Sequence, residues 1–127
     1  MILCDTNIII ELFKGDKSTI EIVENIGIGN ISISVISEME LFFGALNANE
    51  LNKIKKYLSS LEIIQIDLLI SEAAVGLIEK YSKSHHLQIP DSIIVATSLT
   101  YGMELLTYNV KDFKYIKHLR LYNYSMK

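Results

Sequence analysis

Three acidic residues of this chain stand where a predicted strand or loop meets an apolar helix: Asp5, Glu40 and Asp91. Asp5 ends the first apolar run, Glu40 lies early in a helical pattern, and Asp91 follows Pro90 at the start of a long apolar stretch. A carboxylate beside packed apolar segments is costly unless it is paired, hydrogen-bonded or bound to metal. We therefore expect the three acids to share one site, and acids clustered without a nearby base favour a divalent cation.

The chemistry of such a cluster follows from its oxygen ligands. Carboxylates held close together repel each other, which raises their pKa values unless a cation neutralises them. With no His or Cys ligands among the acids, Mg²⁺ or Mn²⁺ is favoured over Zn²⁺. Because such ions activate water and stabilise the oxygens around phosphorus, the pattern predicts metal-dependent hydrolysis of a phosphodiester. A histidine mechanism is less attractive, since His85, His86 and His118 lie away from these motifs.

Each acid also has a purely structural interpretation. Asp5 is placed to cap the helix that follows it. Ser37 and Glu40 have the spacing of a capping box, in which Glu40 reaches back to the backbone of Ser37. Asp91, directly after a proline, fits a first-turn acid favoured by the helix dipole. Taken together, however, three such acids are better explained by one shared site.

Length and composition indicate one folded domain over residues 1–127. Half of the residues are hydrophobic and 21% are charged, which argues against disorder. No stretch reaches the roughly 18 to 20 apolar residues that a membrane span needs. The chain starts directly in a predicted strand without a basic leader, and its single cysteine, Cys4, fits a reducing compartment. We therefore expect a cytoplasmic protein with no membrane partner.

The net charge of −3 gives no general attraction to nucleic acid, so a nucleic-acid substrate requires a local basic patch. Lysines cluster within residues 53–56 and 111–117, although solvated helix faces are the simpler interpretation of both clusters. Arg120 is the single arginine, so the chain is poorly equipped with guanidinium groups for binding phosphate.

The hydrophobic pattern alternates between strand and helix periodicity. Strands are predicted at 2–4, 31–35, 62–66 and 104–107, with 120–122 as a candidate fifth strand. Helices are predicted at 7–14, 18–26, 37–46, 50–61, 71–85 and 90–101. This order predicts an α/β sandwich with a mostly parallel central sheet.

In such sheets, ligands gather beyond the carboxyl ends of the strands. Asp5 ends the first strand, Glu40 follows the second, and Thr107 leaves the fourth on what should be the same edge. The topology therefore offers a way to bring acids that are distant in sequence to one place.

Four motifs in this order resemble those of the PIN-domain nucleases. They are Asp5-Thr6-Asn7, Glu40-Leu41-Phe42-Phe43-Gly44, Pro90-Asp91-Ser92-Ile93-Ile94-Val95-Ala96 and Leu106-Thr107-Tyr108-Asn109-Val110-Lys111-Asp112-Phe113. Any one motif is weak, but four with the right order and spacing are a strong signal. The resemblance covers essentially the whole chain, making 1–127 a single PIN domain, and the length is similar to that of the VapC-type toxins of toxin–antitoxin pairs.

The resemblance implies a PIN-like three-layer α/β/α sandwich around a central, mostly parallel sheet of four to five strands. It also implies a toxin that acts as a Mg²⁺-dependent endoribonuclease on single-stranded or loop RNA, with Mn²⁺ as a substitute for Mg²⁺. Asp5, Glu40 and Asp91 match the acids that bind metal. Thr6, Asn7 and Thr107 match polar positions that orient the acids and water.

The fourth acid of the family pattern is where this chain departs. Many relatives place an aspartate two residues after the threonine of the last motif, and that position is Asn109 here. An asparagine keeps an oxygen ligand but removes a negative charge, which puts a second metal ion in doubt. Asp112, three residues further on, is expected to supply the missing charge.

The resemblance also implies a homodimer that is held inactive by a cognate antitoxin. A negative pocket in a protein with one arginine suits a basic side chain supplied from outside. Apolar residues on the early helices, namely Ile10, Phe13, Leu41 and Phe42, are candidates for the groove that holds this antitoxin. A place in the hydrophobic core is the alternative for each of them.

Three other functions compete with this interpretation. A non-cleaving PIN scaffold that binds RNA or a partner is kept open by Asn109, although the retained acids argue against it. A flap-endonuclease-like DNA nuclease is disfavoured because the chain lacks insertions that clamp duplex DNA. A phosphoacceptor receiver domain also has acids at strand ends, but it needs an acidic pair where Asp5 stands alone, and Lys111 is poorly placed for its lysine.

Overall fold

The computed structural model describes residues 1–124 of the 127-residue chain. Its helices and strands follow each other in the order β1 (Ile2–Cys4), α1 (Thr6–Phe13), α2 (Lys17–Ile26), a 3₁₀ turn (Ile28–Asn30), β2 (Ile31–Ser34), α3 (Val35–Phe43), α4 (Ala48–Leu58), β3 (Glu62–Ile64), α5 (Leu68–His85), α6 (Ile89–Tyr101), β4 (Glu104–Leu106) and α7 (Val110–Phe113). The strands form one sheet in the order β3-β2-β1-β4, and all neighbours run parallel. The predicted parallel α/β sheet is thereby confirmed.

Successive residues of β1 pack into two separate hydrophobic cores, because successive side chains of a strand point to opposite faces of the sheet. Leu3 packs with the apolar faces of α5 and α6 on one side, and Cys4 packs with those of α1 to α4 on the other. Both side chains are fully buried. Helices therefore cover both faces of the sheet, as a three-layer α/β/α sandwich requires, and Cys4 is a buried core thiol.

The direction in which successive strands are added to the sheet reverses beside β1. The chain moves from β1 to β2 and β3 on one side, and β4 returns to the other side. Crevices that bind ligands form at such switch points, beyond the carboxyl ends of the strands. Asp5 follows β1 and Thr107 follows β4, so both residues stand at this crevice.

The start of α3 corrects one prediction. The helix begins at Val35, two residues earlier than expected, and the hydroxyl of Ser34 caps it by accepting a hydrogen bond from the N–H of Ile36 at 3.1 Å. The proposed capping box is therefore wrong, since Ser37 and Glu40 both lie within the helix. Ser37 is instead fully buried and free to make a tertiary contact.

Other differences lie at helix ends and in short elements. The helix predicted at 71–85 begins earlier, at Leu68, and the helix predicted at 50–61 spans Ala48–Leu58. The candidate fifth strand at 120–122 is reduced to a single parallel bridge between Leu121 and Leu105. The four-residue α7 and the 3₁₀ turn were not predicted, because segments this short carry no detectable periodicity. Within residues 1–124, no helix is both long enough and apolar enough to cross a membrane.

Candidate active site

Asp5 lies at the centre of the site, at the end of the central strand. One carboxylate oxygen accepts a hydrogen bond from the N–H of Thr6 at 2.8 Å, and the other accepts one from the hydroxyl of Thr107 at 2.7 Å. The side chain of Asp5 is 5% exposed. The carboxylate thus both caps α1, as the structural interpretation proposed, and keeps unused lone pairs on each oxygen for a ligand.

Glu40 is oriented by two hydroxyl groups. The hydroxyl of Thr6 lies 2.7 Å from a carboxylate oxygen of Glu40 and 2.7 Å from the hydroxyl of Ser37. Thr6 has a single hydroxyl proton and a carboxylate only accepts, so Thr6 donates to Glu40 while Ser37 donates to Thr6. Thr6 therefore links the first two acids, since its N–H holds Asp5 and its hydroxyl holds Glu40.

The loop after β4 is tied to the same point. The hydroxyl of Thr107, which donates to Asp5, accepts a hydrogen bond from the N–H of Asn109 at 3.0 Å. The N–H of Tyr108 donates to the side-chain oxygen of Asn7 at 3.4 Å. Asn7 and Thr107 thereby hold the loop and the first turn of α1 against each other.

Asp91 enters from the first turn of α6 and is partly buried. Burial first, and then the negative charges of Asp5, Glu40 and Asp112, together raise the pKa of its carboxyl from 3.8 to about 6. The electrostatic effect of each acid falls off with distance, so the effect on this pKa indicates that Asp91 lies near the other three acids.

The pKa of Asp5 is also raised, first by burial and then by the charges of Glu40 and Asp112. The hydrogen bonds from Thr107 and Thr6 act in the opposite direction, because they stabilise the charged form. Burial and the neighbouring charges therefore disfavour the ionised form of Asp5, and its hydrogen bonds offset only part of this free-energy cost.

Asp112 and Asn109, the two candidates for the fourth acidic position, differ in their charge and in their contacts. Asp112 is exposed on α7, yet its charge acts on both Asp5 and Asp91. Asn109 is exposed at the start of α7, where its backbone N–H supports Thr107 and its side chain makes no capping hydrogen bond. Asp112 thus adds charge to the site, whereas the contact of Asn109 runs through its backbone.

The donor set fits a divalent cation. Every candidate ligand is an oxygen, and the charges acting on Asp91 are all negative. Within the described residues, no group of three His, Cys, Asp or Glu side chains is already arranged as a metal site. Mg²⁺ keeps several waters and needs only one or two protein carboxylates, so it does not require such a ready-made cage.

Sequence reasoning missed Ser37 as part of this site. The residue was assigned to a helix cap, but its buried hydroxyl contacts Thr6, which lies 31 positions away in the chain. The available signal was its position one helical turn before Glu40, which puts both side chains on the same face of α3.

We expect Thr107→Val to lower the free energy of unfolding by about 1–3 kcal/mol, because it leaves a buried oxygen of Asp5 without its donor. Thr97→Val is the matched control: Thr97 is equally buried, but its hydroxyl only supplements a helix by donating to the carbonyl of Ile93 at 2.8 Å. Urea unfolding at neutral pH measures both. Equal costs for the two variants would contradict the assigned role of Thr107.

Asp91→Asn should stabilise the metal-free protein at neutral pH. A carboxyl whose pKa rises from 3.8 to about 6 on folding binds its proton more tightly in the folded state. The parent therefore loses stability as pH increases from about 4 to 6, and the asparagine variant escapes this loss. The full shift corresponds to about 3 kcal/mol, which solvent screening of this partly exposed group reduces to about 1–2 kcal/mol.

Thermal unfolding in EDTA at pH 4.5 and pH 7.5 measures this effect. Asp16→Asn is the control, because hydrogen bonds from Thr19 and Ser18 lower the pKa of Asp16 and give it the opposite sign. An advantage of Asp91→Asn over the parent that does not grow with pH would show that Asp91 carries no electrostatic cost.

Comparison with known proteins places this chain in one family. The PIN domain family matches residues 2–119. Ribonuclease VapC1 of Rickettsia felis is 33% identical, over 99% of this chain and 98% of that protein. The toxin–antitoxin complex from Klebsiella pneumoniae contains a chain that is 34% identical, with a TM-score of 0.79 over 94% of this chain and 95% of that chain.

A second solved structure agrees. VapBC2 from Rickettsia felis, bound to a DNA fragment from its promoter, has a TM-score of 0.80 at 28% identity, over 97% of this chain and 98% of that chain. The parallel sheet, the acidic crevice at its carboxyl edge and these relatives lead to one conclusion. The chain belongs to the PIN domain family, among the relatives of the VapC ribonucleases.

Proposed function

We propose that this protein is the toxin of a toxin–antitoxin pair and acts as a metal-dependent endoribonuclease on single-stranded or loop RNA. The observation that carries this proposal is the arrangement at the crevice beside β1, where Thr6 and Thr107 hold the buried carboxylate of Asp5 and Thr6 also binds Glu40. The VapC ribonucleases support it by similarity over nearly the whole chain. On this proposal residues 1–127 form a single PIN domain that works in the cytoplasm.

Asp5 and Asp91 are proposed to hold Mg²⁺, or Mn²⁺ in its place, with Glu40 close to the same ion. When bound there, such a cation would lower the pKa of water and stabilise negative charge on the oxygens around phosphorus. Thr107 fixes the orientation of Asp5, and Thr6 does the same for Glu40. Asp112 adds negative charge, while Asn109 and Asn7 hold the loop that carries Thr107.

Glu40 is the best-placed acceptor for the proton of the attacking water. It is exposed, so substrate and water can reach it, and one of its oxygens already accepts the proton of Thr6. The remaining oxygen is then oriented without being consumed by a structural contact. Ser37 supports this arrangement through Thr6, which makes it a positioning residue.

Purified protein should cleave end-labelled single-stranded RNA in Mg²⁺ or Mn²⁺ and lose this activity in EDTA. Asp91→Asn and Glu40→Gln should each lower the cleavage rate by about 10²-fold or more, as expected for loss of a metal ligand or a general base. Asp112→Asn should cost about ten- to 100-fold and Asn109→Ala less, because only Asp112 adds charge.

Asp16→Asn is the control for this assay, since Asp16 caps α2 rather than joining the site. Metal-independent cleavage, or full activity of Asp91→Asn, would mean that the site is wrongly assigned. A folded protein that binds RNA but does not cut it would favour the non-cleaving PIN scaffold.

The antitoxin is proposed to occupy a groove of about 480 Å³ between α1, α3 and α4. Ile10, Phe13 and Leu41 line this groove, and so does Glu40, which makes the groove continuous with the acidic site. An apolar helix that carries a basic side chain fits this combination. Leu41 lines the groove although it is almost wholly buried, whereas Phe42 lies outside this groove and packs against the hydrophobic core.

Phe13→Ala should weaken binding of the cognate antitoxin by at least about tenfold, since a half-exposed aromatic ring in a groove is a typical binding hot spot. Phe43→Ala is the matched control, because Phe43 is 94% exposed and lies outside the groove. Calorimetric titration measures both affinities. If both variants weakened binding equally, the antitoxin would have to bind at another surface.

A homodimer is proposed through the outer face of α5 and α6. This face carries a second apolar groove of about 370 Å³, lined among others by Ile66, Val75 and Ile89. Val75 is 70% exposed and Ile89 is 67% exposed, which is costly for apolar side chains that stay in water. Burial against a second copy removes this cost.

Light scattering should give the parent twice the 14.4 kDa mass of the chain. Val75→Glu should give the monomer mass, because it places a charge in the apolar contact. Lys55→Glu adds the same carboxylate on α4, across the sheet, and should leave the dimer intact. A parent protein that is monomeric at high concentration would exclude this dimer.

A further inference from the structure

Three aromatic rings meet at the end of α5. Tyr81 and His85 are four residues apart on this helix, so they lie on one face of it. Tyr115 follows α7 and packs against both of them. The imidazole of His85 stacks on the Tyr115 ring with centroids 3.9 Å apart and planes 7° from parallel.

Tyr81 packs beside this stacked pair. Its ring centroid is 5.1 Å from that of Tyr115 and 5.8 Å from that of His85, with interplanar angles of 66° and 72°. Nearly equal distances to two stacked rings place Tyr81 against their edges, since a ring on an outer face is much further from one of the two. The outer face of the His85 imidazole is therefore not covered by either tyrosine.

The base of the cluster is held in place, whereas its outer ring is open. Tyr81 is buried, and its hydroxyl accepts a hydrogen bond from the N–H of Lys117 at 3.2 Å. Tyr115 is partly buried, and His85 is exposed. Rings that only anchored the end of α5 would gain most by being buried, so an exposed imidazole on a fixed ring is better explained by a contact with something outside.

The stacked pair lies beside the acids. Burial raises the pKa of the Tyr115 hydroxyl, and the charges of Asp91 and Asp112 raise it further. Tyr115 also follows Asp112 by three residues in the short segment that begins with α7. Tyr115 is thus close in the chain to one of the acids, which puts the stacked rings within reach of a strand bound at the acidic site.

Positive charge accompanies the rings in a protein whose net charge is −3. The ammonium group of Lys80 lies 5.3 Å from the centroid of the Tyr81 ring. The pKa of Tyr81 is lowered first by the hydrogen bond from the backbone of Lys117, and also by the charges of Lys80 and Lys117. This is the kind of local basic patch that a phosphate backbone requires.

We infer that the stacked rings of His85 and Tyr115 form a platform on which one base of a single-stranded RNA stacks while the neighbouring backbone enters the acidic site. The inference rests on the proposed nuclease function. Stacking on an exposed aromatic face accepts any base, because every base has a π-face. The platform therefore positions the strand and favours an unpaired base, since a paired base is not free to leave its own stack.

RNA binding can be measured without cleavage in an Asp5→Asn background, by fluorescence anisotropy of a labelled oligoadenylate and of an abasic ribose-phosphate chain of the same length. His85→Ala should weaken oligoadenylate binding by at least about fivefold, the lower limit expected for loss of one stacked base. Binding of the abasic chain should not change. His85→Phe keeps a ring and should restore oligoadenylate binding.

His86→Asn is the matched control, because it removes the adjacent exposed imidazole and asparagine tolerates the left-handed backbone there, where φ is 58°. A fluorescent adenine analogue gives an independent readout, since stacking quenches its emission. Quenching should occur with the parent and with His85→Phe, and should be lost with His85→Ala.

Three results would overturn the platform. They are unchanged binding of oligoadenylate by His85→Ala, an equal loss for the abasic chain, and an effect of His86→Asn as large as that of His85→Ala. If the parent still cleaves RNA in Mg²⁺, any of these results excludes the stacking platform but not the nuclease function. A parent protein that neither binds nor cleaves RNA excludes both.

Discussion

The carboxylate of Asp5 is buried at the end of the central strand, where the N–H of Thr6 and the hydroxyl of Thr107 each donate to one of its oxygens. A buried charge without such partners costs several kcal/mol, so the fold must deliver both donors to this point. Thr6 begins α1 and Thr107 leaves β4, the two elements on either side of the crevice. One buried acid thus fixes the meeting point of β1, β4 and α1, and the rest of the site is built around it.

The other three acids arrive on separate helices, and the fold supplies no buried cation to neutralise them within the described residues. Glu40 is held by Thr6, Asp91 lies in the first turn of α6, and Asp112 acts through its charge from α7. Burial, and after it the repulsion between the acids, raises the pKa of Asp91 and of Asp5. The metal-free protein is therefore less stable than its packing permits, and a divalent cation bound at this site would recover that free energy. The same unbalanced charge suits a basic side chain of the antitoxin that we propose for the groove beside Glu40.

Much of this architecture follows from local signals in the sequence. The predicted ends of α2 and α6 at residues 26 and 101 are confirmed, and Gly27 and Gly102 follow them with positive φ values that favour glycine. The start of α3 was misplaced because Val35 and Ile36 are β-branched and continue the strand pattern, although tertiary packing makes them helical. The contact of Ser37 with Thr6 joins distant segments, so no local pattern reveals it. The stacking of His85 on Tyr115 is equally invisible in sequence, where His85 is explained by its position at a helix end.

The central claim is that the four acids form one site for a divalent cation. The most direct test is titration of the full chain with Mn²⁺, followed by electron paramagnetic resonance of the free ion, in the parent and in Asp5→Asn, Asp91→Asn and Asp16→Asn. The account predicts saturable binding by the parent that Mg²⁺ displaces, a large loss of affinity in Asp5→Asn and Asp91→Asn, and no change in Asp16→Asn. Binding that is absent from the folded parent, or equal in all four proteins, would contradict it.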